Sequence, residues 1–153
     1  MKNKILALAL VGVVFFSCKK EEEKGIPDSS LPPKIESAIS EECYEYVQGN
    51  DTIQVSLLVD SGTVKGDLIY KLFEKDKNSG TIVGTVKGDT LIADYTFKSE
   101  GTTSVRQVAF LRKNKSLIEG FGESEEKESK MVFKDLKKLS FSENMILNLI
   151  PCK

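Results

Sequence analysis

The chain has 153 residues, of which 29% are charged, with 22 basic side chains against 23 acidic ones and no histidine or tryptophan. That balance lacks the basic excess of a nucleic-acid binder. Without histidine, Ser–His–Asp and Cys–His mechanisms are excluded and the commonest metal ligand is missing. No paired carboxylates stand out for acid–base work, so the sequence predicts a non-enzymatic protein with no cofactor and no metal.

Met1 to Lys4 carries Lys2 and Lys4, and Ile5 to Phe16 is an uncharged, mostly apolar run. This is the n-region and h-region of a secretory signal, predicted to span residues 1–17. It is too short for a bilayer, which needs about 20 apolar residues. Ser17-Cys18 closes the run, and Lys19-Lys20-Glu21-Glu22-Glu23 follows.

The Ser17-Cys18 junction resembles the end of a bacterial lipobox, although Phe15 and Phe16 are bulkier than the residues usual there. The resemblance implies cleavage before Cys18, a diacylglycerol on its thiol, and two or three acyl chains such as palmitate on the mature cysteine. Two or three acyl chains would anchor the protein firmly to a membrane. The lysine-then-acidic run resembles the surface-export signal of one group of Gram-negative lipoproteins. It implies an outer-membrane lipoprotein at the cell surface, with the periplasmic face as the alternative. Removing residues 1–17 leaves 20 basic against 23 acidic residues, a formal charge of −3.

Residues 18–41 read as a lipidated tether. Pro27, Pro32 and Pro33 with Gly25, Asp28, Ser29 and Ser30 give no apolar period. The predicted domain spans 42–153. With Cys18 acylated, Cys43 and Cys152 remain as an even pair at its two ends, and an oxidising compartment favours a disulfide between them.

From Cys43 the apolar residues recur every second position. Ile53, Val55, Leu57 and Val59 form one such set, with Leu58 breaking its polar face. Val64, Leu68, Tyr70 and Leu72 form another, and Leu91, Ala93, Tyr95 and Phe97 a third. Alternation of this kind marks strands with one buried and one wet face. Turn signals such as Asp60-Ser61-Gly62, Gly88-Asp89 and Lys113-Asn114 separate them. Strands are predicted near 43–48, 52–60, 63–73, 80–87, 90–98, 103–112 and 115–121. Residues 122–130 are predicted as a solvated loop. Its four glutamates lack the spacing of an EF-hand calcium loop. Phe133, Leu136 and Leu139 suit one helical turn, and 145–150 a last strand.

These strands predict an all-β fold. A meander this long must curl or split to protect its edges. A Cys43–Cys152 bridge would bring the last strand beside the first, as barrel closure requires. The expectation is a small calycin-like β-barrel, with a flattened β-sandwich as the alternative. Gly66 and Gly84 fall on inward faces, where glycine marks a bend or makes room. Arg106 and Arg112 share one face of their strand, which the alternation leaves unassigned as inward or outward. Tyr70, Tyr95 and Arg106 are the candidate ligand-binding residues, around an expected cavity. The partner would be a small ligand or an extracellular protein. The competing reading is an envelope structural or interaction protein, such as an inhibitor of an attacking enzyme.

Overall fold

The computed structural model describes residues 39–99 and 101–153. The leader, Cys18 and the tether up to residue 38 lie outside them. Strand β1 spans Ser40–Gln48, β2 Asp51–Asp60, β3 Thr63–Lys71, β4 Asn78–Lys87 and β5 Thr90–Ser99. They are followed by β6 Thr102–Lys113, β7 Ser116–Phe121, β8 Ser124–Lys127, β9 Lys130–Phe133 and β10 Ser140–Ile150. The first strand described starts at Ser40, within the stretch 18–41 expected to be tether.

Eight strands close into an antiparallel barrel in the order β1-β2-β3-β4-β5-β6-β7-β10, with β10 returning to β1. The closed-barrel expectation holds, and the sandwich is set aside. Each of the first six strands pairs with the next in the chain, mostly across tight turns, and β7 pairs with β10 after the β8–β9 excursion. At Ser61-Gly62 both residues have positive φ, the conformation whose twist matches a two-residue hairpin.

The inward faces carry the apolar residues of the period-two pattern. Ile53, Leu68, Ile82, Leu91, Tyr95, Phe110, Leu117 and Leu147 are all completely buried. The outer face presents Gln54, Lys65, Asp67 and Thr96 to solvent. No helix among the described residues is long and apolar enough to cross a membrane.

Gly66 and Gly84 do not make room for a ligand. A Cβ on Gly66 would lie 1.8 Å from the Ser56 carbonyl oxygen, and one on Gly84 would lie 2.5 Å from the Ala93 Cα. These glycines let neighbouring backbones press together where the sheet coils, the bend that interior strand glycines allow. Large residues stand opposite them: Ile82 faces Gly66 and Val64 faces Gly84. Small and large side chains alternate in this way to fill a narrow barrel.

The segment expected to be a solvated loop, 122–130, instead contributes a hairpin. Strands β8 and β9 pair antiparallel, and β9 joins the edge of β6 through a parallel bridge between Arg106 and Met131. The reason is an open edge. β7 covers β6 only from Ala109 to Lys113, so the first half of β6 needs another neighbour. Two of the segment's four glutamates find lysines, Glu125 with Lys127 and Glu123 with Lys134. The helical turn expected of Phe133, Leu136 and Leu139 is one 3₁₀ turn, Leu136–Lys138, with Phe133 in β9 and Leu139 extended beyond it. The last strand is longer than expected, and its register shifts between Phe141 and Ile146. Phe141 covers Gly120 on the outside of the barrel, and Leu139 covers Gly122.

The predicted disulfide is formed. Cys43 and Cys152 are bonded with their Cα atoms 5.2 Å apart, and Cys43 pairs with Ile150 across the β1–β10 seam.

Candidate binding site

The barrel has two ends. The near end carries the start of β1, the end of β10 and the turns at 61–62, 88–89 and 114–115. The far end carries the turn at 49–50, the 72–77 loop, Gly101 and the excursion from β7 to β10.

The three candidate residues meet inside the far end. Ile53 on β2 aligns Tyr70 on β3, and Ile82 on β4 aligns Tyr95 on β5. Arg106 on β6 stands directly opposite Tyr95. The inward face of β6 thus carries Arg106, Val108, Phe110 and Arg112, which settles the side the alternation left open. The Arg106 guanidinium carbon lies 5.1 Å from the Tyr70 ring centre, 5.6 Å from Tyr95 and 5.5 Å from Phe97. Tyr95 stacks on Phe97 at 4.8 Å and meets Tyr70 edge-on at 5.9 Å. Three ring faces therefore hold one cation, an arrangement favoured by the ring quadrupoles. Among the described residues Arg106 makes no ion pair.

A fourth polar residue belongs to this cluster. Glu119 on β7 is only 7% exposed, and its carboxylate accepts a 2.6 Å hydrogen bond from the Tyr70 hydroxyl. Burial pushes its carboxyl above the ordinary value, against the opposing effects of that bond and of the Arg106 charge. Burial also raises Tyr70 well above the usual phenol range, with the Glu119 charge adding to it. Tyr95 is pushed up to about 12, chiefly by burial.

Glu119 was legible in principle. Alternation places Leu117, Glu119 and Phe121 on one face, so a buried Leu117 implies an inward carboxylate. The apolar surroundings of Leu117-Ile118 hide it, because the segment reads simply as a strand.

Arg112, six residues on, ends up elsewhere. At the near end one of its terminal nitrogens donates to both oxygens of Glu42, at 2.6 and 2.7 Å, and the Tyr44 hydroxyl also donates to Glu42. Its charge is therefore neutralised within the chain.

The expected cavity around Tyr70 and Tyr95 is not what the barrel holds. Two cavities stand out among the described residues, and neither opens between these tyrosines. One, of about 480 Å³, is a groove on the outer face beside the disulfide, lined by Glu45, Gln54, Asp67, Ile69 and Pro151. The other, of about 340 Å³, lies at the near end beside Arg112, Lys115 and Leu149. Glu119 stands beside Tyr70 where the sequence reading placed no side chain. Glu41 lies close to the Cys43 and Cys152 sulfurs, but bonded sulfurs offer no thiolate to a metal.

The far end also exposes apolar surface. Phe73 is 58% and Phe121 49% exposed. Leu72, Phe97 and Met145 pack partly buried against the core below them. The Phe73 amide donates to the Asp51 carboxylate at 2.6 Å, which ties the 72–77 loop to the neighbouring turn. No protein family, curated protein or solved structure matches this chain.

Proposed function

We propose that this chain is a lipid-anchored, non-enzymatic binding module of the outer membrane, displayed at the cell surface, which holds another protein at the far end of its barrel. Acylated Cys18 would be its contact with the membrane. The observation that carries the reading is the pair of exposed rings, Phe73 and Phe121, at the end opposite the strand through which the chain enters. Small-molecule sites are concave and enclose most of the ligand surface. Here the barrel interior is filled by its own side chains, so the far end suits a contact between surfaces. Loops there are free to vary while the barrel holds them in place.

The test uses a photo-crosslinking side chain placed in turn at Phe73, Phe121, Leu58 and Val83 in the full chain on producing cells. The last two are comparably exposed apolar positions on the barrel wall, 51% and 53% exposed. Adducts to one protein from 73 and 121, but not from 58 and 83, are the expected outcome. Equal labelling at all four sites, or none, would refute it. Replacing Cys18 with serine checks the anchor separately. It should abolish lipid labelling and leave an uncleaved precursor, and normal processing of that variant would remove the lipoprotein reading.

A further inference from the structure

The cavity of about 340 Å³ at the near mouth of the barrel is lined by Glu42, Arg112, Lys113, Lys115 and Leu149, among others. A ring of short contacts holds these residues around it. Arg112 donates to Glu42 at 2.6 Å, and the Tyr44 hydroxyl donates to the same carboxylate at 2.6 Å. Tyr44 aligns Leu149 across the β1–β10 seam, and the Leu149 amide donates to the Lys115 carbonyl at 3.0 Å. Three cations and one carboxylate thus line a volume within the range of small-molecule sites. Internal pairing leaves donors over. Lys113 has Glu143 at 2.8 Å, but among the described residues Lys115 makes no ion pair. Only one terminal nitrogen of Arg112 bonds Glu42, so the other terminal nitrogen and Nε keep their N–H groups. The Arg112 side chain is 33% and Leu149 44% exposed, so the cavity is reached from solvent. Lys115 also stands at φ 65°, in a left-handed turn position that favours glycine. The turn carries a lysine where a glycine would relax its backbone.

We propose that this mouth binds a phosphodiester, the head group of a membrane phospholipid, with Arg112 and Lys115 donating to its unesterified oxygens. Arginine and lysine both suit phosphate oxygens, the one through its planar fork and the other as a point charge. The bound group carries a single charge. Glu42 belongs to the same lining and opposes the second charge that inorganic phosphate would bring. Leu149 offers apolar surface to the glycerol carbons behind the phosphate, which a free ion cannot use. The lipid as source follows from where the chain enters. β1 begins at this end, and Ser40 follows Cys18 by 22 residues. An acylated Cys18 therefore keeps the mouth within about 75 Å of lipid phosphates even at full extension. That source rests on the anchor proposed above. The site itself does not, and it lies at the opposite end from Phe73 and Phe121.

The chain contains two arginines, Arg106 and Arg112, hence two arginine Nε–H resonances. The full chain, held in dodecyl maltoside micelles and labelled with nitrogen-15, is titrated at constant ionic strength. The probes are glycerophosphoglycerol, glycerophosphoethanolamine, inorganic phosphate, acetate and chloride. Arg112→Lys assigns the two signals. A saturable shift of the Arg112 signal with both diesters is expected, and a weaker one with phosphate, acetate and chloride. The Arg106 signal, enclosed by the rings of Tyr70, Tyr95 and Phe97, serves as the fixed reference. Lys115→Gly should weaken the diesters about fivefold, the worth of one lysine beside lipid phosphates. The same variant should unfold at an equal or higher denaturant concentration, because glycine adopts the positive φ without strain. Lost binding in a protein of undiminished stability separates a ligand contact from a structural role. The titration contains no lipid, so it stands apart from the outcome of the Cys18 variant. Phosphate binding as tightly as the diesters would identify the free ion as the source and overturn the lipid assignment. An Arg112 signal that does not saturate, that follows chloride equally, or that Lys115→Gly leaves unchanged would overturn the site.

Discussion

Replacing Cys43 and Cys152 together by serine tests how the barrel is closed. The two positions are 109 residues apart, so the bridge ties together nearly the whole folded chain. In the chain-entropy description, closing a loop of ~100 residues removes about 4.7 kcal/mol of freedom from the unfolded ensemble. Loss of a native bridge from small secreted domains spans about 2–5 kcal/mol, so the upper part of that range is expected here. The folded state has its own reason to suffer. The β1–β10 seam is a ladder of three residue pairs, Cys43 to Ile150 through Glu45 to Asn148, whereas β1 meets β2 along its full length. The disulfide sits at the end of that short seam. Guanidinium unfolding of the full chain should therefore show a lower midpoint for the serine variant. Its slope should be steeper, since an uncrosslinked unfolded chain exposes more surface. Amide exchange should rise first in β1 and β10 and least in β3 and β4. An unchanged midpoint would refute the argument, and so would faster exchange spread evenly around the barrel.

Two further outcomes follow from the packing and from the buried carboxyl. Gly66→Ala should destabilise the protein by about 1–3 kcal/mol, since its new methyl group meets the Ser56 carbonyl and only backbone movement relieves it. A thermal midpoint equal to that of the parent chain would show that Gly66 is not a close-approach position. For Glu119, burial raises the carboxyl above its ordinary 4.5, so the folded protein holds that proton more tightly than the unfolded chain does. Its stabilising contribution is complete below the unfolded value and is lost as pH rises through the folded one. Glu119→Gln keeps an oxygen for the Tyr70 hydroxyl and removes the charge. The variant should match the parent in acid and exceed it at neutral pH, and a variant less stable than the parent at neutral pH would sink this assignment.

The strand order was open to sequence reading because period-two alternation and turn residues are local signals. Ile53 to Val59 and Leu91 to Phe97 declare their buried faces without any knowledge of their neighbours. The cysteine pair added one long-range constraint, and it was enough to place β10 beside β1. The β8–β9 hairpin escaped because its charges describe solvent exposure, which a loop and an outer hairpin share. What makes it a hairpin is the uncovered edge of β6, and no local signal carries that. The meeting of Tyr70, Tyr95 and Arg106 was inferred from shared inward faces, yet the filled interior around them was not. Counting small residues suggests a void, but whether a glycine leaves space depends on how closely the next strand approaches. Ser56 and Ala93 approach closely enough to close it. Barrel closure likewise decided the partners of the two arginines. Six residues apart on one face of β6, they meet different strands: Arg112 finds the Glu42 carboxylate of β1, and Arg106 finds the rings of Tyr70 on β3 and of Tyr95 and Phe97 on β5. Alternation alone fixes which way a side chain points; what it meets there is a property of the closed ring of strands.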